Sequence, residues 1–286
     1  MSKRQLPTSE HASPVDRALE KAVLALQMQR FEEAERVASQ VLKSNRGSVL
    51  AACILGRALL AQKRADEAIN VLKRAARSSG DPEAETLFAV ALAAAGRRSE
   101  AIEQLQRTTA RRPPFPPAFI ELGGQLSNAG RFDEGIELLE SGLALAPDRV
   151  DLRMALGYLY LKRNDRARAR SVFEEVRALA PERHDTLVAL AKVMILDGEY
   201  PAAADLYRHA LGLQPDDVLT RINLGKCLLE MGKRDAGEAT LRAATRAAPQ
   251  LAGRAILALA AAPHGRLFLQ PSAAVKFLRG TRPSRA

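Results

Sequence analysis

The chain has 286 residues, 47% of them hydrophobic and 4% aromatic, with no tryptophan and a formal net charge of +10. The apolar content supports a large core that folds on its own, and its dominance by Ala and Leu favours helices over sheets of β-branched and aromatic residues. No apolar stretch reaches the roughly 20 residues of a membrane span, and the polar stretch Met1 to Pro14 lacks the apolar run of a signal peptide, so a soluble, cytoplasmic chain is expected.

Residues 1–14 read as a disordered N-terminal segment, 15–249 as a repeat array, and 250–286 as a capping helix followed by a basic C-terminal segment. The array is announced by proline. Pro113, Pro147, Pro181, Pro215 and Pro249 stand 34 residues apart, and four such coincidences after a first have a chance on the order of 10⁻⁵ at average proline usage. Gly96, Gly130, Asn164, Gly198 and Gly232 follow in register, each suited to a turn through the left-handed region. Small residues recur at Ala22, Gly56, Ala89, Gly123, Gly157, Ala191 and Gly225, and again at Ala34, Ala68, Ala101, Gly135, Ala169, Ala203 and Gly237, which counts seven units. A single shortened step falls near Gly80-Asp81-Pro82.

Each unit carries two helical apolar patterns. In the fifth, Leu156, Leu159 and Tyr160 recur at three and four residues, and Ala169, Val172, Phe173 and Val176 do so after the break at Asn164. Two antiparallel helices per unit follow, with small residues on facing helices allowing close approach and proline ending the second. Acidic residues that open first helices, such as Asp148, Glu182, Asp216 and Asp217, read as partners of the helix dipole.

These features resemble the tetratricopeptide-repeat family. Leu122-Gly123, Leu156-Gly157 and Leu224-Gly225 match its Leu-Gly pair, Tyr160 its first-helix aromatic, Phe31, Phe132 and Tyr200 its second-helix entry aromatic, and Phe173 and Tyr207 the later one. The resemblance spans about residues 15–249. Its departures are the missing tryptophan, Arg153 and Arg221 where a bulky apolar residue is usual, and Arg46 where the first unit would end in proline. It implies an all-α, right-handed superhelical solenoid of antiparallel helix pairs, about seven repeats plus C-terminal capping helices, whose concave groove of first helices holds a partner segment.

Helical angle locates that groove in the sequence. With Leu156, Gly157 and Tyr160 turned to the paired helix, Met154, Tyr158 and Leu161 share another face. Equivalent places hold Arg57, Val90, Gly124, Lys192 and Lys226, preceded by Cys53, Thr86, Ile120, Val188 and Ile222. The expected partner-binding set is therefore Arg57, Thr86, Ile120, Met154, Tyr158, Val188, Lys192, Ile222, Asn223 and Lys226; an asparagine ladder known in long arrays of the family is matched by Asn223 alone, with Ile54, Glu121, Ala155 and Ala189 at the equivalent places, so that specificity does not carry over. A clamp of Lys, Asn and Arg residues for a terminal carboxylate, also known in the family, is not recognised on successive first helices.

From Ala239 onward there is no acidic residue, and the positive excess gathers at the C-terminal end, including Arg254, Arg266, Lys276 and Arg279. Residues 251–262 read as a capping helix, Ser272 as the cap of a short helix reaching Arg279, and Phe268, Leu269, Phe277 and Leu278 as a cover for the last repeat. A second basic run, Arg163, Arg166, Arg168 and Arg170, reads as a solvated outer face. Cys53 and Cys227 read as buried core thiols, and no metal site, cofactor motif, phosphate loop or nucleophile elbow is present in the sequence. The expected function is a non-enzymatic adaptor for a protein or peptide segment with acidic residues, not nucleic acid. Its alternatives are a self-assembling coat, as around bacterial organelles, or docking of the basic end on an acidic protein or membrane surface.

Overall fold

The computed structural model describes residues 13–266 and 270–279. All regular structure among them is helical, in two compact units that divide between Ala155 and Leu156. The first contains α1 (Pro14–Gln27), α2 (Phe31–Ser44), α3 (Val49–Ala61), α4 (Ala65–Ser79), α5 (Pro82–Ala94), α6 (Arg98–Thr109), α7 (Pro116–Asn128), α8 (Phe132–Leu145) and the start of α9 (Val150–Lys162). The second contains the rest of α9, α10 (Arg166–Leu179), α11 (His184–Leu196), α12 (Tyr200–Leu213), α13 (Val218–Glu230), α14 (Arg234–Ala247), a 3₁₀ turn at Pro249–Leu251, α15 (Ala252–Ala261) and α16 (Pro271–Arg279).

Local chemistry starts and stops these helices. Ser13 and Asp16 form a capping box on α1, Ser48 caps α3, and Asp81 and Asp217 each accept two amide protons at the heads of α5 and α13. The turn inside each helix pair passes through the left-handed region at Gly96, Gly130, Asn164, Gly198 and Gly232, as the sequence predicts, and at Gln29 and Lys63, which the glycine pattern does not reveal. The repeating small residues allow close packing: a Cβ on Gly157 would come 2.5 Å from Phe173 Cε1, and one on Gly225 would come 2.8 Å from Leu241 Cγ.

The two arginines that depart from the repeat pattern have a structural task. Arg153 donates to the carbonyl of Pro147, and Arg221 to that of Pro215, so each ties the head of a first helix to the proline that ended the previous unit. The basic run on α10 is not a bare solvated face. Arg166 pairs with Asp197 at 3.1 Å, Arg170 with Glu199 at 2.6 Å, and Arg168 lies 5.6 Å from the Tyr160 ring centre.

At the C-terminal end, α15 buries Ala255, Ala258 and Leu259 against the core formed by Ile222, Leu229, Leu241 and Ala244. Helix α16 begins at Pro271, so Ser272 lies inside its first turn rather than capping it, consistent with the preference of proline for the first helical position. Leu278 is fully buried and Phe277 packs beside it. Phe268 and Leu269 lie outside the described residues. Glu238, a buried carboxylate on α14, accepts from Arg234 at 3.1 Å, Arg242 at 3.0 Å and Arg266 at 2.6 Å, while Arg242 and Arg266 stand 4.5 and 4.8 Å from the centre of the Phe277 ring.

Candidate functional site

First helices are buried around most of their circumference, because they pack against their own second helix and against the neighbouring pairs. In α11, Thr186, Leu187, Ala189, Leu190, Ala191, Val193 and Met194 are all buried. That leaves a narrow open strip, and Lys192 stands on it, exposed. Second helices differ: α12 buries only Ala203, Ala204, Leu206, Tyr207 and Ala210, one face of its surface. Open strips of successive first helices therefore make the surface most distinct from an ordinary solvated exterior.

In the second unit these strips form two adjoining hollows. The larger, about 660 Å³, lies among Tyr158, Leu161, Lys162, Ile195, Leu196 and the fully buried Tyr207. The other, about 560 Å³, lies among Val188, Leu219, Ile222, Leu257, Ala258 and Ala261, with Asp217, Thr220 and Arg254 also on its lining. Both share Lys192, Asn223 and Lys226 as a common wall. Of the sequence-derived set, Tyr158, Val188, Lys192, Ile222, Asn223 and Lys226 thus come together, and Arg254, assigned by sequence to the basic end, joins them.

The remaining residues of that set are placed otherwise. Thr86 is buried and its hydroxyl donates its one proton to Pro82 O of its own helix at 2.7 Å. Met154 is likewise buried. Ile120 is half-buried, and Arg57 is exposed and paired with Glu83 at 2.8 Å. A helical angle places a residue off the paired helix, but packing between successive units claims part of that same arc. At the basic end, Arg266 is engaged by Glu238 and Phe277, whereas Arg279 borders a small hollow with Arg242 and Arg246.

Electrostatics sharpen the contrast within the second unit. Lys192, Asn223, Lys226 and Arg254 have no hydrogen bond or ion pair to another side chain among the described residues, while Arg166 and Arg170 on α10 are paired with Asp197 and Glu199. Asp217 is occupied: burial alone would raise its pKa, but hydrogen bonds from the Thr220 hydroxyl and amide and the nearby His184 hold the carboxyl below its usual range. Tyr158 meets Phe173 edge to face, and its phenol is pushed up by burial first and by Asp185 second. The Tyr207 hydroxyl is buried without a hydrogen-bond partner. Among the described residues no group of three His, Cys, Asp or Glu side chains is placed to hold a metal ion, and no helix is long and apolar enough to cross a membrane.

Family profiles described as tetratricopeptide repeat match residues 19–82, and also 59–125, 128–193 and 194–262. No curated protein sequence matches the chain significantly. Similar solved structures include a thermophilic repeat protein of Thermus thermophilus, 21% identical with a TM-score of 0.56 over 63% of this chain and 99% of that one. A repeat protein from Parabacteroides merdae is 12% identical with a TM-score of 0.62 over 85% of this chain and 98% of that one. Human IFIT1, solved as a dimer with m7Gppp-AAAA, is 14% identical with a TM-score of 0.68 over 96% of this chain and 70% of that one.

Proposed function

Because the chain belongs to the tetratricopeptide-repeat family, we propose that it is a non-enzymatic, cytoplasmic protein-binding scaffold that holds an acidic segment of a partner protein in the groove of its second unit. The observation that carries this reading is the company the groove keeps. Tyr158, Leu196, Leu219 and Leu257 are four of the large apolar side chains left open to solvent, at 36, 54, 41 and 68%, and all four border the two hollows around Lys192, Asn223 and Lys226. Apolar side chains gathered on one surface and rimmed by polar groups mark an interaction site, and unpaired cations among them favour carboxylates. Docking through the basic C-terminal end is the weaker reading, since Arg266 is already spent on Glu238 and Phe277.

The test is a photo-crosslinking amino acid placed at Tyr158 in native cells, with a matched placement at Ser171 on α10. Crosslinking from Tyr158 and not from Ser171, abolished by Lys192→Glu with Lys226→Glu, supports the groove. Capture from Ser171 alone, or of a second copy of this chain from Tyr158, would replace it with an outer-surface or self-assembling role.

A further inference from the structure

Building on that reading, we infer that the groove selects a particular order of residues: a segment with acidic residues at its centre and a bulky apolar residue on each side. The inference comes from the way the two hollows are joined. Lys192, Asn223 and Lys226 border both, so they form a polar waist between two apolar compartments rather than a rim around one. One compartment takes its apolar wall from Tyr158, Leu161, Ile195 and Leu196, with Lys162 also on its lining; the other takes its apolar wall from Val188, Leu219, Ile222 and Leu257, with Asp217, Thr220 and Arg254 also on its lining.

Each part then asks for a different chemistry. Two ammonium groups and an amide with no partner among the described residues attract carboxylates and supply donors for them, and Arg254 adds a further cation on the lining of the second compartment. Asp217 lines that same compartment and repels a carboxylate of the occupant there, which favours acidic residues at the waist. The compartments themselves offer aliphatic walls, with Leu257 68% exposed and Leu196 54% exposed, and cover of this kind is gained by Leu, Ile, Met or Phe side chains.

Helix α15 makes the second compartment possible. It occupies the place of a further first helix and brings Arg254, Leu257, Ala258 and Ala261 to face α13. The end cap is therefore also one wall of the binding surface. A single-stranded nucleic acid is a poorer occupant, because it needs planar platforms at successive positions and the open lining has one exposed aromatic, Tyr158.

The order is tested with the full chain and fluorescein-labelled 14-residue synthetic peptides by anisotropy. One peptide carries Leu and Phe on both sides of a central Glu-Asp-Glu, a second has the same composition with the acids at both ends and the apolar residues central, and a third replaces the central acids by lysines. An oligodeoxythymidylate of similar length is the nucleic-acid probe. The first peptide should bind about tenfold or more tighter than its isomer, with a Kd that rises with salt, and Leu257→Ala should weaken it several-fold. Lys192→Glu with Lys226→Glu should transfer the preference to the lysine-centred peptide. Circular dichroism and melting establish that the variants are folded, and Lys192→Glu with Arg254→Glu serves if the first pair is not.

Equal affinity for the two isomers, no binding of any peptide, or charge reversal without a switch overturns the inference. Tight binding of the oligonucleotide that the same substitutions abolish overturns it in favour of a nucleic acid. The groove reading fails on other grounds: a Tyr158 crosslink to a partner alongside peptides that bind without order preference would sink the order and spare the groove, whereas silent Tyr158 crosslinks would sink the groove.

Discussion

Tyr158 and Phe173 meet edge to face with ring centroids 5.4 Å apart and planes at 67°. The contact joins an open groove residue to a fully buried core ring, because Gly157 lets Phe173 come up under the backbone of α9. The orientation of Tyr158 therefore depends on a buried glycine.

Replacing Gly157 by Ala should be destabilising. The new Cβ would meet Phe173 at 2.5 Å, and overpacking of this kind costs about 1–3 kcal/mol, more than the gain of up to about 1 kcal/mol from better helix propensity. Gly124 in α7 is the control, since a Cβ there has nothing within 4 Å and Gly124→Ala should stabilise by up to about 1 kcal/mol. Urea midpoints moving in opposite directions would bear this out; equal shifts would show that close approach is not what Gly157 provides.

Lys63→Gly should leave stability unchanged or raise it by about 0.5–1 kcal/mol. Lys63 holds φ at 61°, a region costly to residues with a Cβ, whereas glycine enters it freely and loses part of that gain to its greater entropy when unfolded. Gly198→Ala, at φ 78°, should move the midpoint the other way by about 1–2 kcal/mol.

These turns show how the sequence is legible by chemistry rather than by position. Five of the seven left-handed turns inside the helix pairs carry Gly or Asn and can be read directly; Gln29 and Lys63 do the same work without an indicative side chain and emerge only from the backbone. The repeat length, the helix pairs and the close-packed small residues are equally legible, since each follows from a local preference. The groove is legible in part. Tyr158, Lys192 and Lys226 could be placed because charged or amphipathic side chains avoid burial, whereas Thr86 and Met154 satisfy the same angular rule and end up inside. Arg254 was hidden by its company: the basic C-terminal run in sequence resolves into Arg254 beside the hollows, Arg242 and Arg266 bonded to Glu238, and Arg246 and Arg279 beside a separate small hollow.

Acid should loosen the C-terminal helix before the rest. Burial alone would raise the pKa of Glu238, but hydrogen bonds and charge from Arg266 and Arg234 outweigh it and hold the carboxyl below its usual value. The stability it contributes is therefore complete above the unfolded pKa of about 4.3 and is lost as pH falls through the lower folded value. Hydrogen exchange of residues 271–279, corrected for intrinsic rates, should accelerate on acidification. Glu238→Gln should reproduce the acceleration at neutral pH, at a local cost of about 1–3 kcal/mol, while α12 is unaffected. Acceleration in α12 equal to that in α16 would count against a local latch.

Both cysteines should resist labelling in the native state. Burial, with Glu83 and Asp81 adding to it, pushes the Cys53 thiol up to about 12, and burial pushes Cys227 up to about 11, so neither forms the reactive thiolate at pH 8. Iodoacetamide should modify both only in urea. Because one thiol lies in each compact unit, the two labelling curves would report separately on the units; rapid native labelling of either would contradict its burial.

The connection between α14 and the last two helices has an implication for engineering. Glu238 and Arg242 reside on α14 and Arg266 follows α15, so the parts that hold Phe277 and Leu278 in place travel together in a stretch of roughly fifty residues. Such a terminus is a portable module. Duplicating one 34-residue unit ahead of α13 would lengthen the groove by a rung and leave its end wall, with Arg254 and Leu257, unchanged in its contacts with α13. Reach along a longer partner could be altered by insertion alone, without redesigning the boundary where the repeats meet water.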